Sequence, residues 1–424
     1  MRVLNNQSLI PPNTEYLELN FVGETATGKG NNTQFIMENL HDGTFQIQDG
    51  RVGITIGRHK PKVYTMPIEK WDEIYAMKVK RGYLLTKKIK MDKKVYQQNG
   101  TIVNGQSFAV IQDESVRNIV TTILQYAQAV MDTQYSVKVD DISDEMIAYG
   151  QLVLEELALK FNTMSVAEFN NKLKVLYAAI PRRIDNLSKV LAQRKIQFND
   201  IIANEQELFD VMVAQVKNQQ ISNKYNHTIL DAYHLEWRCI NDAEKQSILS
   251  MLGPDVSKRF SGAWRIENLN TRKAFDSFCK QENLSKEHGI TELFHGSRNE
   301  NFWSIITNGL TVNPTGVVIT GKMFGNGTYF APLARKSLGY TSSRGAYYTG
   351  GTSNKGYLAI YEVATGKTYD VTTSESDLNY LRLQERCPGA HCTWAHAGVS
   401  LCNDEVIVYQ NQQSTIKYLV EINA

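Results

Sequence analysis

Three side chains from distant parts of the sequence could act on one substrate: His295, Tyr329 and Glu405. His295 stands in ELFHGSR, just after an apolar pair, as at the end of a strand. Tyr329 stands in GKMFGNGTYFA and Glu405 in NDEVIVY, both strand-like runs. An imidazole, a phenol and a carboxylate are side chains that can take part in catalysis. Singly, each of the three is more often a satisfied structural residue than a catalytic one.

Around Tyr329 the stretch TGKMFGNGTYFAPLARKSLGY (320–340) carries four glycines among Phe324, Phe330 and Tyr340. A phosphate cradle, a tight β-turn and a slot for a flat ring could each use such a run. A P-loop needs Lys-Ser/Thr after its last glycine, and none follows here. A dinucleotide fingerprint needs a third glycine after Gly325 and Gly327, and that is missing too. The slot for a flat ring is the reading retained, with glycines letting the turn approach the ring and aromatics covering its faces. A second cluster, Cys387, His391, Cys392 and His396 in CPGAHCTWAH, has zinc-ligand residue types. Adjacent His and Cys suit a chelate poorly, so it reads as a loop and no metal is expected.

The elements that must position these residues fall in three regions. Residues 1–15 read as a loose leader with a Pro11-Pro12 break. Residues 16–111 read as strands and turns: EYLELNF alternates, and TFQIQDGRVGITIGRH reads as a hairpin turning at Asp49-Gly50. Trp71, Ile74 and Tyr75 stand at helical spacing, ahead of lysines 87, 88, 90, 93 and 94. From 113 the period changes. Val116, Ile119, Val120, Ile123, Leu124, Ala127, Val130 and Met131 form one helical face. A second helix starts after Ser143 as N-cap, and a third, SVAEFNNKLKVLYAAI, stops at Pro181. From 237 the text is mixed, with short helices over 271–282 and 300–308. GYLAIYEV, EVIVY and TIKYLVEI read as strands, and in the last Ile416, Tyr418, Val420 and Ile422 alternate with the residues between them.

At 424 residues the chain is long for one domain. Hydrophobic residues make up 42% and charged ones 21%, as in ordinary globular proteins. Net charge is only +2, so any nucleic-acid contact needs a local patch. No run is apolar for long enough to cross a membrane, the start lacks a signal pattern, and five cysteines suit reduced thiols. An intracellular protein, nuclear if eukaryotic, is expected, with no membrane partner.

The motifs LFHGSR, GKMFGNGTYFA, KSLGY, YEVATGKTYDV and NDEVIVY…IKYLVEI, in that order over 237–424, resemble the catalytic domain of the poly(ADP-ribose) polymerases. The resemblance implies an NAD-dependent ADP-ribosyltransferase whose His-Tyr-Glu triad maps onto His295, Tyr329 and Glu405. It further implies that Gly296 and Ser337 hold the nicotinamide carboxamide and that Tyr340 and Tyr329 sandwich the ring. Ser297 joins His295 on ribose hydroxyls, and Lys336 lies within reach. Glu405 is the family's mark for polymer formation. The alternatives are a mono-ADP-ribosyltransferase and an inactive DNA-break-binding scaffold. Two positions depart from the family pattern: Lys322 where tyrosine is common, and Thr311 where arginine is common.

The N-terminal text resembles a WGR domain, with Asp49-Gly50-Arg51 in place of Trp-Gly-Arg. That resemblance implies contact with broken or nicked DNA through Arg51, Arg58, Lys60, Lys78 and Lys80, with Lys62 and Arg81 nearby. DEMIAYGQLVLEEL and LKVLYAAIPRR resemble the family's regulatory helical domain, which shields the NAD site. The expected architecture is α+β multidomain. It comprises a small β-rich WGR-like domain (16–111), an all-α helical bundle (113–236) and a mixed, mainly antiparallel ADP-ribosyltransferase fold (237–424). Protein acceptors, the chain itself among them, are the expected partners besides NAD and DNA.

Overall fold

A computed structural model describes residues 14–24, 30–51, 60–90, 108–184, 186–222, 227–312 and 323–424. Its contacts divide the chain into two compact units, Met1–Thr101 with Met131–Glu205, and Ile102–Val130 with Gln206–Ala424.

Among the described residues the first unit contains five strands, β1 (Thr14–Glu24), β2 (Gly30–Asn39), β3 (Thr44–Arg51), β4 (Lys62–Pro67) and β5 (Leu84–Lys90), in the order β4-β3-β2-β1-β5. All neighbours are antiparallel. The alternation in β1 to β3 buries Leu17, Leu19, Phe35, Met37, Phe45 and Ile47 on one face, closed by Trp71 of helix α1 (Trp71–Lys80). Asp49-Gly50 is not a turn: it lies inside β3, where Asp49 pairs with Phe35 on one side and Lys62 on the other. Ladder bonds on both sides hold the backbone extended there, which overrides the turn preference of the dipeptide.

Asp49 has a different task. Its carboxylate lies 3.0 Å from the buried ammonium of Lys78, which sits 3.7 Å from the ring centroid of Phe35 and 4.6 Å from that of Tyr83. Lys78, expected from sequence at an exposed DNA face, is instead buried and paired inside this unit. Burying a cation requires a counter-charge, and the adjacent strand supplies it.

Four longer helices follow: α2 (Glu114–Gln134), α3 (Asp144–Lys160), α4 (Val166–Ala179) and α5 (Phe198–Ser222). Ser143 caps α3 by accepting from Met146 N, as its sequence position suggests, and Ser165 with Glu168 forms a capping box on α4. α3 and α4 belong to the first unit, whereas the division between the units falls within α2 and α5. In the first unit Phe169 stacks on Phe198 at 3.8 Å, and buried Arg182 pairs with buried Glu205, which also accepts from Tyr177 at 3.0 Å.

The second unit continues with α6 (Ile229–Ala232), β6 (Leu235–Cys239), α7 (Asp242–Val256), β7 (Phe260–Asn268), α8 (Leu269–Gln281), β8 (Ile290–Gly296), α9 (Phe302–Asn308), β9 (Thr328–Phe330) and α10 (Ala334–Leu338). It ends with β10 (Lys355–Ala364), β11 (Thr368–Val371), α11 (Tyr380–Arg386), β12 (Cys392–Ala395), β13 (Glu405–Val408) and β14 (Ser414–Asn423). One sheet runs β6-β7-β14-β10-β8, antiparallel throughout; the other runs β11-β12-β13-β9, parallel only between β11 and β12. The alternation in β14 does not produce a wet face, because Leu419 and Glu421 are buried as well. Helices cover both sides. Leu419, Tyr357, Ala359 and Tyr361 pack with Val116, Ile119, Ile123, Phe302 and Trp303 in one core. Leu358, Ile360, Tyr418 and Val420 pack with Ile248 and Leu252 of α7 in the other.

The buried Lys78 makes a stability test specific. Asp49→Ala should destabilise the first unit by about 1–3 kcal/mol in urea unfolding, reduced from the fully buried range because Asp49 keeps solvent contact. Lys80→Ala, at an exposed position one residue beyond Val79, should change stability by less than about 0.5 kcal/mol.

Candidate active site

The site grows from the ends of short strands. β8 and β9 are bridged by reciprocal backbone bonds between Phe294 and Ala331, each 2.9 Å. β13 lies against β9 with Ile407 opposite Tyr329 and Val406 opposite Phe330. Residues two apart share a face of a strand, and cross-strand partners share it too, so Glu405 and Tyr329 project to the same side.

His295 joins them from β8, its Nδ1 donating to the Tyr329 carbonyl at 2.9 Å. A carbonyl can only accept, so this bond fixes the tautomer with Nδ1 protonated. The imidazole lies edge-on to Phe330 at 5.9 Å and to Tyr361 at 6.2 Å. Tyr329 is tied down at its tip. Its hydroxyl accepts from Phe324 N at 3.1 Å and donates to Gly325 O at 2.8 Å. Burial, with smaller contributions from the charges nearby, holds that phenol well above its ordinary range and therefore neutral.

The glycines have a different use from the one the sequence suggests. Gly325 has a φ of +71°, and a Cβ there would stand 1.8 Å from the Leu378 carbonyl oxygen. The bare turn thus fits against the protein's own backbone and delivers the two bonds that hold Tyr329. Gly296 is the closest approach on the other side: a Cβ would stand 1.9 Å from Ser337 O. Ser337, buried on α10, donates its hydroxyl to Phe294 O at 3.1 Å. Ser297 accepts from Asn301 Nδ2 at 3.0 Å.

α10 also supplies the cation of the site. Lys336 Nζ lies 2.8 Å from Glu405 Oε1, with both side chains buried. Burial opposes the charge on Lys336, but the contact with Glu405 outweighs it and holds the ammonium above its ordinary value. Tyr340 follows α10 and is pushed up to about 12, first by burial and then by the Glu405 carboxylate. His295, Gly296, Ser297, Tyr329, Lys336, Ser337, Tyr340 and Glu405 are thus linked through neighbouring strands and α10. Tyr340 stacks on Tyr348 at 4.3 Å and 15°. Sequence reading passed over Tyr348, since nothing in SSRGAYYTGG marks it.

The catalytic-domain profile of the poly(ADP-ribose) polymerases matches residues 254–397. The poly(ADP-ribose) polymerase-like 100L of Invertebrate iridescent virus 6 is 32% identical over 173 residues, 39% of this chain and 87% of that protein. The chain belongs to the poly(ADP-ribose) polymerase family. The poly(ADP-ribose) polymerase of Drosophila melanogaster is 24% identical over 288 residues, 61% of this chain but 28% of that protein. Poly(ADP-ribose) polymerase 1 of Gallus gallus is 29% identical over 157 residues, 32% of this chain and 15% of that protein.

This member of the family is an NAD+ ADP-ribosyltransferase, with NAD as its substrate. Among the described residues no group of three His, Cys, Asp or Glu side chains is set to hold a metal. In the CPGAHCTWAH run, Cys392 is buried with its thiol donating to Thr365 O at 3.2 Å, and His391 Nδ1 accepts from Lys367 N at 3.0 Å. Of the residues expected on a DNA face, Arg51, Lys60 and Lys80 are exposed, with Lys62 and Arg81, and Arg58 lies outside the described residues. Lys322 also lies outside them, and Thr311 is exposed.

His396 belongs to a cluster beside Glu405 that sequence reading did not find. Asp404 accepts from Trp394 Nε1 at 2.9 Å and Ala397 N at 2.8 Å. His396 bridges Asp404, 3.1 Å from Nδ1, and Asp370, 2.6 Å from Nε2. These bonds anchor the residue immediately before Glu405. The Asp370 contact raises the His396 pKa, burial opposes it, and Asp404 adds to the rise. The Asp370 carboxyl is lowered, by Thr368 first and also by His396. Burial opposes the charge on Asp404, but the Ala397 amide, Trp394 and His396 prevail and lower it. A raised histidine stabilises the fold fully below its unfolded value of 6.5 and loses that contribution as pH rises through its folded value. The lowered carboxyls act oppositely, contributing above 3.8 and failing in stronger acid. The melting temperature should therefore fall by about 1–3 °C as pH rises from 6 to 8.5, a modest change because the pair is solvated. His396→Gln should abolish that component, measured by calorimetry at matched ionic strength.

Proposed function

We propose that this transferase builds polymer, moving successive ADP-ribose units from NAD to protein acceptors, itself included, with release of nicotinamide. The observation that carries the reading is the buried Lys336–Glu405 pair between α10 and the start of β13. Elongation requires a carboxylate that takes a proton from an incoming ribose hydroxyl, and Glu405 is a carboxylate paired at 2.8 Å with a buried ammonium.

The proposed steps follow from the residue types. The carboxamide of nicotinamide rests on the backbone N–H and C=O of Gly296 and beside the Ser337 hydroxyl. Tyr329 and Tyr340 cover the pyridine ring. His295 and Ser297 hold ribose hydroxyls. The bond from ribose C1′ to the pyridine nitrogen breaks, its electrons leave with neutral nicotinamide, and C1′ becomes cation-like, as in glycoside cleavage. Glu405 bonds the 2′-hydroxyl, stabilises that charge and accepts the proton of the attacking hydroxyl, while Lys336 holds Glu405 in place.

Glu405→Gln should leave NAD affinity within about threefold of wild type and slow transfer by about 100-fold or more, a loss of about 3 kcal/mol. The neutral amide also strands the Lys336 ammonium. Lys336→Met combined with Glu405→Gln should recover stability and not activity, which separates the chemical role from the structural one. Labelled NAD resolved on a gel reads product length: a ladder supports elongation, and one sharp band from the wild-type chain would assign single-unit transfer instead.

Stimulation by broken DNA accompanies this proposal, supported by the exposed Arg51, Lys60 and Lys80. So does regulation by the helical segment 113–236, set between a WGR-like region (16–111) and the catalytic region (237–424). Glu207 of α5 supports it by reaching Arg298 at 3.5 Å and Asn301 at 3.3 Å, next to Ser297. Nicked DNA should raise nicotinamide release severalfold at 50 mM salt, and the gain should shrink steeply at 200 mM. Arg51→Ala with Lys80→Ala should reduce the gain and spare the DNA-free rate; equal rates with and without DNA would remove this part of the reading.

A further inference from the structure

The connection from α10 to β10 is a tightly stapled loop. Tyr348 N donates to Gly339 O at 2.9 Å, Gly350 N to Ala346 O at 3.0 Å, Arg344 N to Ser353 O at 2.7 Å and Ser353 N to Ser342 O at 2.9 Å. These bonds fix the backbone on either side of Tyr348. The ring it carries is 51% exposed, so burial of apolar surface does not account for its placement. The ring lies flat on Tyr340, and its hydroxyl stands 3.2 Å from Lys336 Nζ, the same atom that pairs with Glu405 at 2.8 Å. Gly339 makes the approach possible, since a Cβ there would stand 2.9 Å from the Tyr348 ring.

We infer that Tyr348 is a positioning residue for ADP-ribosyl transfer, holding Tyr340 by its ring face and Lys336 by its hydroxyl. The inference rests on the reading of Lys336, Tyr340 and Glu405 as site residues. One residue then couples the aromatic wall to the carboxylate. The ring restricts rotation of Tyr340, which is itself 37% exposed and follows the last turn of α10. The hydroxyl accepts a bond from an ammonium that burial would otherwise disfavour, and so helps keep Lys336 charged and aimed at Glu405. Tyr347 packs edge-on against the same ring at 5.0 Å but is 85% exposed and touches neither Tyr340 nor Lys336 among the described ring and ion contacts. It is the internal control.

The two contacts separate in kinetics. Tyr348→Phe keeps the stack and deletes the hydroxyl; it should lower kcat for nicotinamide release about threefold to tenfold with KM for NAD within twofold. Tyr348→Ala deletes both, and should lower kcat comparably and raise KM about threefold to tenfold. Tyr347→Ala should match wild type. Melting temperatures run alongside, since a purely structural role would lower stability and leave kcat and KM of the folded enzyme unchanged. Wild-type constants in both Tyr348 variants would overturn the inference, as would a fall in KM in Tyr348→Ala, which would make the ring an obstacle to NAD. Lys336→Met and Tyr340→Ala are run in parallel. If they lose turnover and the Tyr348 variants do not, only the role of Tyr348 fails. If they too match wild type, the site reading fails and this inference with it.

Discussion

The arrangement around Glu405 depends on one electrostatic constraint: a carboxylate taken out of water must meet a cation. Lys336 meets it at 2.8 Å, and much of the surrounding geometry follows from delivering that lysine. α10 must end close to β8, which is why Gly296 and Ser337 touch backbone to backbone and why Ser337 bonds Phe294. β13 must begin at Glu405, and Asp404 is held by three separate donors just before it. A buried pair adds little net stability over an apolar pair of similar shape. Under the proposed function its retention follows from chemistry, because Glu405 is the carboxylate that acts on ribose hydroxyls there.

Rigidity of the rest of the unit serves this pair. The main sheet is buried on both faces, with one core running through Val116, Phe302 and Tyr357 and another through Ile248, Leu358 and Val420. Dense packing on both sides leaves β8 and β10 little freedom, so His295, opposite Ala359, is held to the carbonyl of Tyr329 by backbone register more than by its own side chain. Helix α2 contributes Val116, Ile119, Val120 and Ile123 to that packing, so its second-unit part is structural as well as any regulator.

The first unit solves the same problem at Lys78. There the counter-charge, Asp49, comes from β3, and the rings of Phe35 and Tyr83 complete the enclosure. Two buried lysines in separate units therefore use one device, a carboxylate from a neighbouring strand with aromatic rings on the flanks. In the first unit the device ties α1 to β3; in the second it ties α10 to β13.

Much was legible from residue types and local spacing. The helical period through 114–134, the cap at Ser143, the stop before Pro181, the strand that carries His295 near its end and the one that starts at Glu405 follow from short-range properties of the chain. The order of motifs was likewise enough to mark His295, Tyr329 and Glu405 together. Tertiary structure decided what local text could not. Asp49-Gly50 has the letters of a turn, yet ladder bonds on both sides keep it in a strand. Lys78 has the letters of a surface cation, yet it closes over Phe35. Alternation in β14 suggests one wet face, but helices from elsewhere in the chain dry both. Tyr348 and the His396 cluster gain meaning only from partners that the fold brings near them, Lys336 and Tyr340 for one, Asp370 and Asp404 for the other. Period and capping act over a few residues and can be read in order; burial, counter-charge and stacking act across space and belong to the folded chain.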